Sequence, residues 1–419
     1  MRQAYAISGS DIKKTEVMIK TPSSERLHIA ITGKCNTGKS SLMNALTGQK
    51  TAIVSDIPGT TADPVRKAME IPGIGPCLFI DTAGFDDSGT ALGRKRTRLS
   101  AKALESADIA IMIFRDCDNA EKEWYGRMTR DGIPVIPVIG KADLHGGTGK
   151  DAAVEEEVRK LCGESPVMAS AATLQGIDLL FRAILEKIPG EFGSRTITGD
   201  LVKEGDTILL VMPQDGLAPK GRLILPQVQV IRELLDRKCT AVSCTQDTMG
   251  KALASLACPP GLIITDSQAF EEVAGMKPEG SRLTSFSILF AGYKGDIRVF
   301  REGAEALGRL GEKSRVLIAE ACTHAPAEED IGRVRIPALL RRRFGQGLRT
   351  EVVSGKDFPD DLSGYDIVIH CGACMFNRRY VLSRIASAER QHVPITNYGM
   401  AIAWLKGILG KVTFPGTDR

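Results

Sequence analysis

Short, unbroken apolar runs alternate along this chain with longer amphipathic stretches. LHIAITG (27–33), CLFID (77–81), IAIMIF (109–114) and VIPVIG (135–140) are apolar at successive positions. Such runs predict strands of a parallel sheet buried on both faces. Between them, SSLMNALTG (40–48) and RLSAKALESA (98–107) space their apolar residues three and four apart, which predicts helices. The alternation runs from Leu27 to about Pro189 and predicts a doubly wound α/β unit over 25–190. GEFGSRTITGD (190–200) is rich in Gly, Ser and Thr and predicts a linker.

A second unit, 196–269, has strand patterns in TILLVMP, TAVSCT and GLIITDS and helical patterns in QVQVIRELLDRK and TMGKALASLA. That is a short βαβαβ series. A third unit, 270–419, has strand patterns in RVLIAEA, DIVIHCG and VPITNYG and a helical pattern in AIAWLKGIL. Residues 1–24 are polar and predict a tail.

Composition narrows the class little. Hydrophobic residues make up 43% and charged residues 25% of 419, as in ordinary soluble proteins. A net charge of +4 is too mild to call for a nucleic-acid partner. The longest apolar runs fall short of a membrane span, and MRQAYAISGSDIKKTE lacks the apolar core of a secretory signal. A cytoplasmic location is therefore expected. The ten cysteines then read as free thiols plus a metal site rather than disulfides.

The chemistry begins at GKCNTGKS, Gly33 to Ser40, between the first strand and the first helix. This is the phosphate-binding loop in the context the motif requires. Gly33 and Gly38 let the backbone wrap phosphates, with Asn36, Thr37 and Ser41 completing the loop and helix start. Lys39 supplies positive charge to the β- and γ-phosphates, and the Ser40 hydroxyl ligates Mg²⁺. DTAG, Asp81 to Gly84, follows the second apolar strand: Asp81 serves the Mg²⁺ shell and the Gly84 amide reaches a γ-phosphate. Between the two motifs, IPGTTADP offers Thr60 and Thr61 as a switch that closes over Mg²⁺. GKAD, Gly140 to Asp143, supplies guanine selectivity, because Asp143 accepts from the guanine N1 and exocyclic amine while Lys141 lies along the base. Ser170 and Ala171 complete the base pocket. Gly140 stands where Asn usually braces this loop, so an Asn there is expected to tighten GTP binding.

Two positions refine the class. Phe85 follows DTAG where many small GTPases carry a water-orienting Gln, and Asn36 lies within the phosphate loop. Both features resemble the TrmE and Era-like GTPases. That resemblance implies slow turnover and a K⁺ ion held with the help of Asn36.

A separate constellation lies in the third unit. Cys322-Thr323-His324 follows RVLIAEA, and His370-Cys371-Gly372-Ala373-Cys374 follows DIVI. Both groups sit at strand C-termini, where open α/β sheets place ligand sites. Three thiolates with His324 or His370 suit a [4Fe–4S] cluster with one labile iron, or a Cys₃His zinc site. With zinc, the alternative function is an RNA-modification or ribosome-associated GTPase.

A TrmE-like GTPase unit followed by C-x-H and H-C-x-x-C resembles the HydF family of [FeFe]-hydrogenase maturation GTPases. VSDIPGTTADPV, VMPQDGLAPKGRLILPQVQ, LIITDSQ, TSFSILFAGYKGD and HCGAC carry the resemblance, which covers nearly the whole chain. It implies a P-loop GTPase domain (25–190), a small α/β dimerisation domain (196–269) and an α/β cluster-binding domain (270–419). It implies a [4Fe–4S] cluster on Cys322, Cys371 and Cys374, with His324 or His370 exchangeable. It further implies a homodimer that acts as scaffold or carrier for a two-iron subcluster precursor. The hydrogenase apoprotein and two radical-SAM maturases would be its partners.

Overall fold

The computed structural model describes residues 21–48, 54–57, 64–86, 91–144, 149–190, 192–213, 223–321, 330–355 and 357–416. Its first unit is a seven-stranded sheet in the order β2-β3-β4-β1-β5-β6-β7. The strands are β1 Leu27–Gly33, β2 Val54–Ile57, β3 Val65–Ile71, β4 Gly75–Asp81, β5 Ile109–Phe114, β6 Val135–Ile139 and β7 Val167–Met168. The four apolar runs are β1, β4, β5 and β6, which pair in parallel at the sheet centre. Every residue of β1, β5 and β6 is buried, as a strand covered on both faces requires. The antiparallel β2 and β3 extend one edge. Helix Lys39–Thr47 follows β1, packs Leu42, Met43 and Leu46 inward, and ends at Gly48.

The second sheet is all parallel, in the order β11-β10-β8-β9. Its strands are β8 Thr207–Val211, β9 Thr240–Cys244, β10 Leu262–Thr265 and β11 Arg282–Ser285. β11 pairs with β10 residue for residue from Leu262↔Arg282 to Thr265↔Ser285. The second unit therefore reaches beyond Ala269, where the alternation of βαβαβ had placed its end. The short, half-polar RLTS of β11 gives no strand signal by itself.

The third sheet, also parallel, has the order β13-β12-β14-β15. It comprises β12 Arg315–Glu320, β13 Arg349–Ser354, β14 Ile367–His370 and β15 Ile395–Asn397. One apolar core joins the second and third sheets: Leu209 and Ile263 pack with Leu317, Val368 and Ile395. No helix among the described residues is long and apolar enough to cross a membrane.

Candidate functional site

β1 lies between β4 and β5, so the loop leaving it opens at the C-terminal edge of the sheet, between two parallel neighbours. Its glycines are needed there. A Cβ on Gly33 would come 2.7 Å from the Ile113 carbonyl oxygen, and Gly38 has φ +93°, a left-handed conformation that side chains resist. Asn36 is exposed at the outer turn with φ 61°. Thr37 Oγ1 donates to the Lys34 carbonyl at 2.8 Å, and Lys39 Nζ donates to the same carbonyl at 2.6 Å. Burial lowers the Lys39 pKa, against the opposing charge of Asp81. Ser41 is exposed on the first turn of the helix.

Ser40 Oγ donates to Asp81 Oδ2 at 2.5 Å, which joins the two phosphate-site motifs. Burial raises the Asp81 carboxyl pKa, offset in part by the Ser40 bond and the Lys39 charge. Asp81 Oδ1 is buried with no hydrogen-bond partner. An orphaned carboxylate oxygen beside a serine hydroxyl suits Mg²⁺, a hard cation held by oxygen ligands. Gly84 lies directly against the phosphate loop: a Cβ there would strike Cys35, 2.6 Å from its amide nitrogen. The Cys35 N–H also donates to Asp86 Oδ1 at 2.6 Å. Thr60 and Thr61 lie outside the described residues.

In the base pocket, Ser170 is fully buried and its hydroxyl donates to Asp143 Oδ1 at 2.5 Å. The Ala172 and Thr173 amides donate to Ser170 Oγ at 3.2 Å each. Ala171 is half-buried in the same turn. Lys141 (φ 59°) reaches the phosphate loop, since a Cβ on Gly38 would lie 3.9 Å from its Cε. Phe85 packs into an apolar core with Ala30 and Met112. It is buried and stacks on Trp124 with centroids 4.9 Å apart, so it orients no water. Lys34, which the phosphate-loop motif does not mark, is a buried cation that pairs with Asp118 Oδ2 at 2.5 Å and ties the loop to the segment after β5. Its signal is RDCD (115–118), two acids after the strand.

At the third sheet, β14 ends at His370 and the chain turns through Cys371, Gly372, Ala373 (φ 51°) and Cys374. Cys371 Sγ accepts the Ala321 N–H at 2.9 Å and the Ala373 N–H at 3.4 Å. Ala321 is the residue that precedes Cys322 in the sequence. Burial pushes the Cys371 thiol up to about 11. Both cysteine side chains remain half-buried. Two thiols at a sheet edge, one receiving backbone N–H donors, fit an iron–sulfur cluster, whose sulfurs are tuned by such bonds. Cys322 and His324 themselves lie outside the described residues.

His370 does not join this donor set, contrary to its expected place as an exchangeable ligand. Its ring is fully buried. Nε2 meets Arg384 Nη1 at 2.7 Å, and Nδ1 meets the Cys371 carbonyl at 2.7 Å. A guanidinium only donates and a carbonyl only accepts, so Nδ1 carries the proton and Nε2 is the acceptor. Both ring nitrogens are committed. Burial and the Arg384 charge push its pKa down to about 3.

A phosphate loop joined to an Asp-based Mg²⁺ site and a guanine-type base pocket defines a P-loop GTPase. Residues 28–141 match the 50S ribosome-binding GTPase domain. Residues 197–295 match the hydrogen maturase F dimerization domain, and 298–415 match the hydrogen maturase F tetramerization domain. The chain belongs to the hydrogen maturase F (HydF) family, the hydrogenase maturation GTPases. The GTPase unit is also similar to GTPase Der of Wolinella succinogenes, 38% identical over 48% of this chain and 43% of that protein. It is similar to the tRNA modification GTPase MnmE of Hamiltonella defensa, 36% identical over 41% of this chain and 37% of that protein. The chain thus spans only about two fifths of these relatives' length. Among solved structures, an Aquifex aeolicus Era variant bound to GDP.AlF4- matches at 21% identity and TM-score 0.34, over 55% of this chain and 98% of that one.

Proposed function

We propose that this protein is a GTP-hydrolysing iron–sulfur scaffold or carrier that assembles or delivers the two-iron subcluster precursor to [FeFe]-hydrogenase in the cytoplasm. The observation that carries this reading is the Cys371 thiol accepting the Ala321 N–H at 2.9 Å, one residue before Cys322. It brings the ends of β12 and β14 together, so that Cys371 and Cys374 share a sheet edge with the residue preceding Cys322. These three thiolates would hold a [4Fe–4S] cluster, and His324 is the exchangeable fourth candidate. When bound, such a cluster supplies an iron position open to a donor atom of the precursor. The hydrogenase apoprotein and two radical-SAM maturases are the partners this role requires.

Self-association as a homodimer is supported by helix Leu225–Asp236, where Val228 and Leu235, seven residues apart on one face, are 46% and 58% exposed. The GTPase centre, with Phe85 in the place of a water-orienting Gln, turns over slowly. Asn36 would help hold a K⁺ ion, which would supply the missing transition-state charge. Hydrolysis is expected to run faster in KCl than in NaCl at matched ionic strength, and equal rates would remove the potassium role.

The main test is iron, sulfide and zinc content with electron paramagnetic resonance after anaerobic reconstitution. Cys322→Ser, Cys371→Ser and Cys374→Ser are each expected to abolish or strongly reduce the cluster. Stoichiometric zinc with no iron in the parent protein would overturn the scaffold.

A further inference from the structure

Beside the cysteine turn lies a tyrosine, Tyr398, whose hydroxyl is buried and, among the described residues, without a hydrogen-bond partner. The sheet register places it there. His370 of β14 pairs with Ala319 of β12 on one side and with Asn397 of β15 on the other. One residue further along each chain stand Glu320, Cys371 and Tyr398, which continue the row across the C-terminal edge of the sheet. Residues in register on neighbouring strands share a face. We propose that Tyr398 donates its O–H to a sulfur of the [4Fe–4S] cluster held at Cys371 and thereby raises the cluster's reduction potential. This inference rests on the cluster reading proposed above.

Leaving a buried hydroxyl unbonded is costly, and native folds do so rarely. The segment Ile331–Arg335 closes over this one: a Cβ on Gly332 would strike the Tyr398 hydroxyl and come 2.7 Å from Glu320 Oε1. Glu320 turns its other oxygen, Oε2, to Arg333 Nε and Nη2 at 3.2 and 3.1 Å and to Ser354 Oγ at 3.1 Å. Burial, then the charges of Cys371, Glu320 and Asp330, push the Tyr398 pKa well above the ordinary tyrosine value. The hydroxyl therefore keeps its proton and can donate it to a hydrogen bond.

The ring is also held in place. Tyr398 is the first residue of helix Tyr398–Leu405, whose N-cap, Asn397, accepts the Met400 N–H at 2.9 Å and donates to the Ser287 carbonyl at 2.8 Å. Cys371 Sγ already receives the Ala321 and Ala373 N–H groups. Tyr398 would add a side-chain donor to these two backbone donors. Reduction puts negative charge on the cluster sulfurs, so each such donor favours the reduced form.

The test is a redox titration, followed by electron paramagnetic resonance, of the anaerobically reconstituted full chain and of Tyr398→Phe. The variant keeps the ring and loses one oxygen. It is expected to hold as much iron and sulfide as the parent. Its reduction equilibrium should shift about fivefold towards the oxidised form, the worth of one hydrogen bond and about 40 mV for one electron. Tyr365→Phe, ahead of the start of β14, should leave the potential unchanged. The cluster-free proteins supply a second readout. Because the hydroxyl gives up no bond there, Tyr398→Phe without iron is expected to melt no lower than the parent. A lower melting temperature would mean that the hydroxyl already has a protein partner, and would overturn the inference. So would an unchanged potential in the loaded variant, or loss of its cluster, which would make the oxygen a ligand to iron. A parent chain that takes up no iron would overturn the cluster reading itself, and this inference with it.

Discussion

Asp143 reads guanine only if its carboxylate is held still, and here a buried serine holds it. Ser170 Oγ, itself fixed by two amides, donates to Asp143 Oδ1. Ser170→Ala is expected to weaken GTP binding about tenfold by removing a hydrogen bond to a charged group. Asp143→Asn is expected to erode the preference for GTP over ATP, and competition binding with the two nucleotides checks both variants. Gly140 was the other residue of interest, with Asn expected to tighten binding. The space beside the loop weighs against that expectation. A Cβ at 140 would lie 3.1 Å from both Ile113 Cγ2 and the Thr37 carbonyl oxygen. One is a buried strand side chain and the other is phosphate-loop backbone, so neither yields easily. Gly140→Asn is now expected to cost about 1 kcal/mol or more of stability and to leave GTP binding no tighter. Calorimetry showing tighter binding would mean that the loop gives way. The missing brace was legible in the sequence; the lack of space for it was not, because it depends on what packs beside the loop.

At the scale of elements, legibility followed burial. β1, β4, β5 and β6 announce themselves because strands buried on both faces must be apolar throughout. β3, VRKAMEI, lies at the sheet margin with an exposed, mixed surface, and β13, RTEVVS, is polar at an edge for the same reason. Their pairing is set by neighbours. The His370-Cys371 junction shows the limit at a site. Spacing presents His370 and Cys371 alike as ligands, but the fold sends the imidazole inward to Arg384 and keeps the thiol at the sheet edge. Arg384 is also buried, with its guanidinium over Tyr380 at 4.5 Å and Phe358 at 4.8 Å. His370→Ala would leave a buried cation short of a partner. It is expected to cost about 3 kcal/mol in denaturant unfolding, an effect on stability that loss of an exchangeable ligand would not produce. Unchanged stability would return His370 to the candidate ligands.

Across the whole molecule, the segment after Cys374 is anchored on the GTPase unit. Asn377 caps its own helix with Oδ1 and donates its amide to the Ser106 carbonyl at 2.8 Å and to Asp108. Burial pushes Asp108 up to about 6 and the neighbouring His28 down to about 4. The signs oppose. His28 is neutral in the fold, so stability is lost as pH falls from its unfolded value near 6.5 towards 4. Folded Asp108 takes a proton that the unfolded chain releases, so stability is gained from about pH 6 towards 4. Asp108→Asn keeps an oxygen that accepts the His28 N–H and the Asn377 amide but removes that gain. Its melting temperature is expected to fall more steeply than wild type between pH 6.5 and 4.5, and parallel curves would refute this account. The same contact orders events during synthesis. All strands of the first sheet have been made by Met168, whereas Asn377 follows more than two hundred residues later. As the ribosome extends the chain, the GTPase unit can fold first, with Asp108 hydrated and ionised. The Asn377 amide reaches that carboxylate only when the cysteine-bearing unit arrives, and a docking step that draws a carboxylate out of water is one that acid favours.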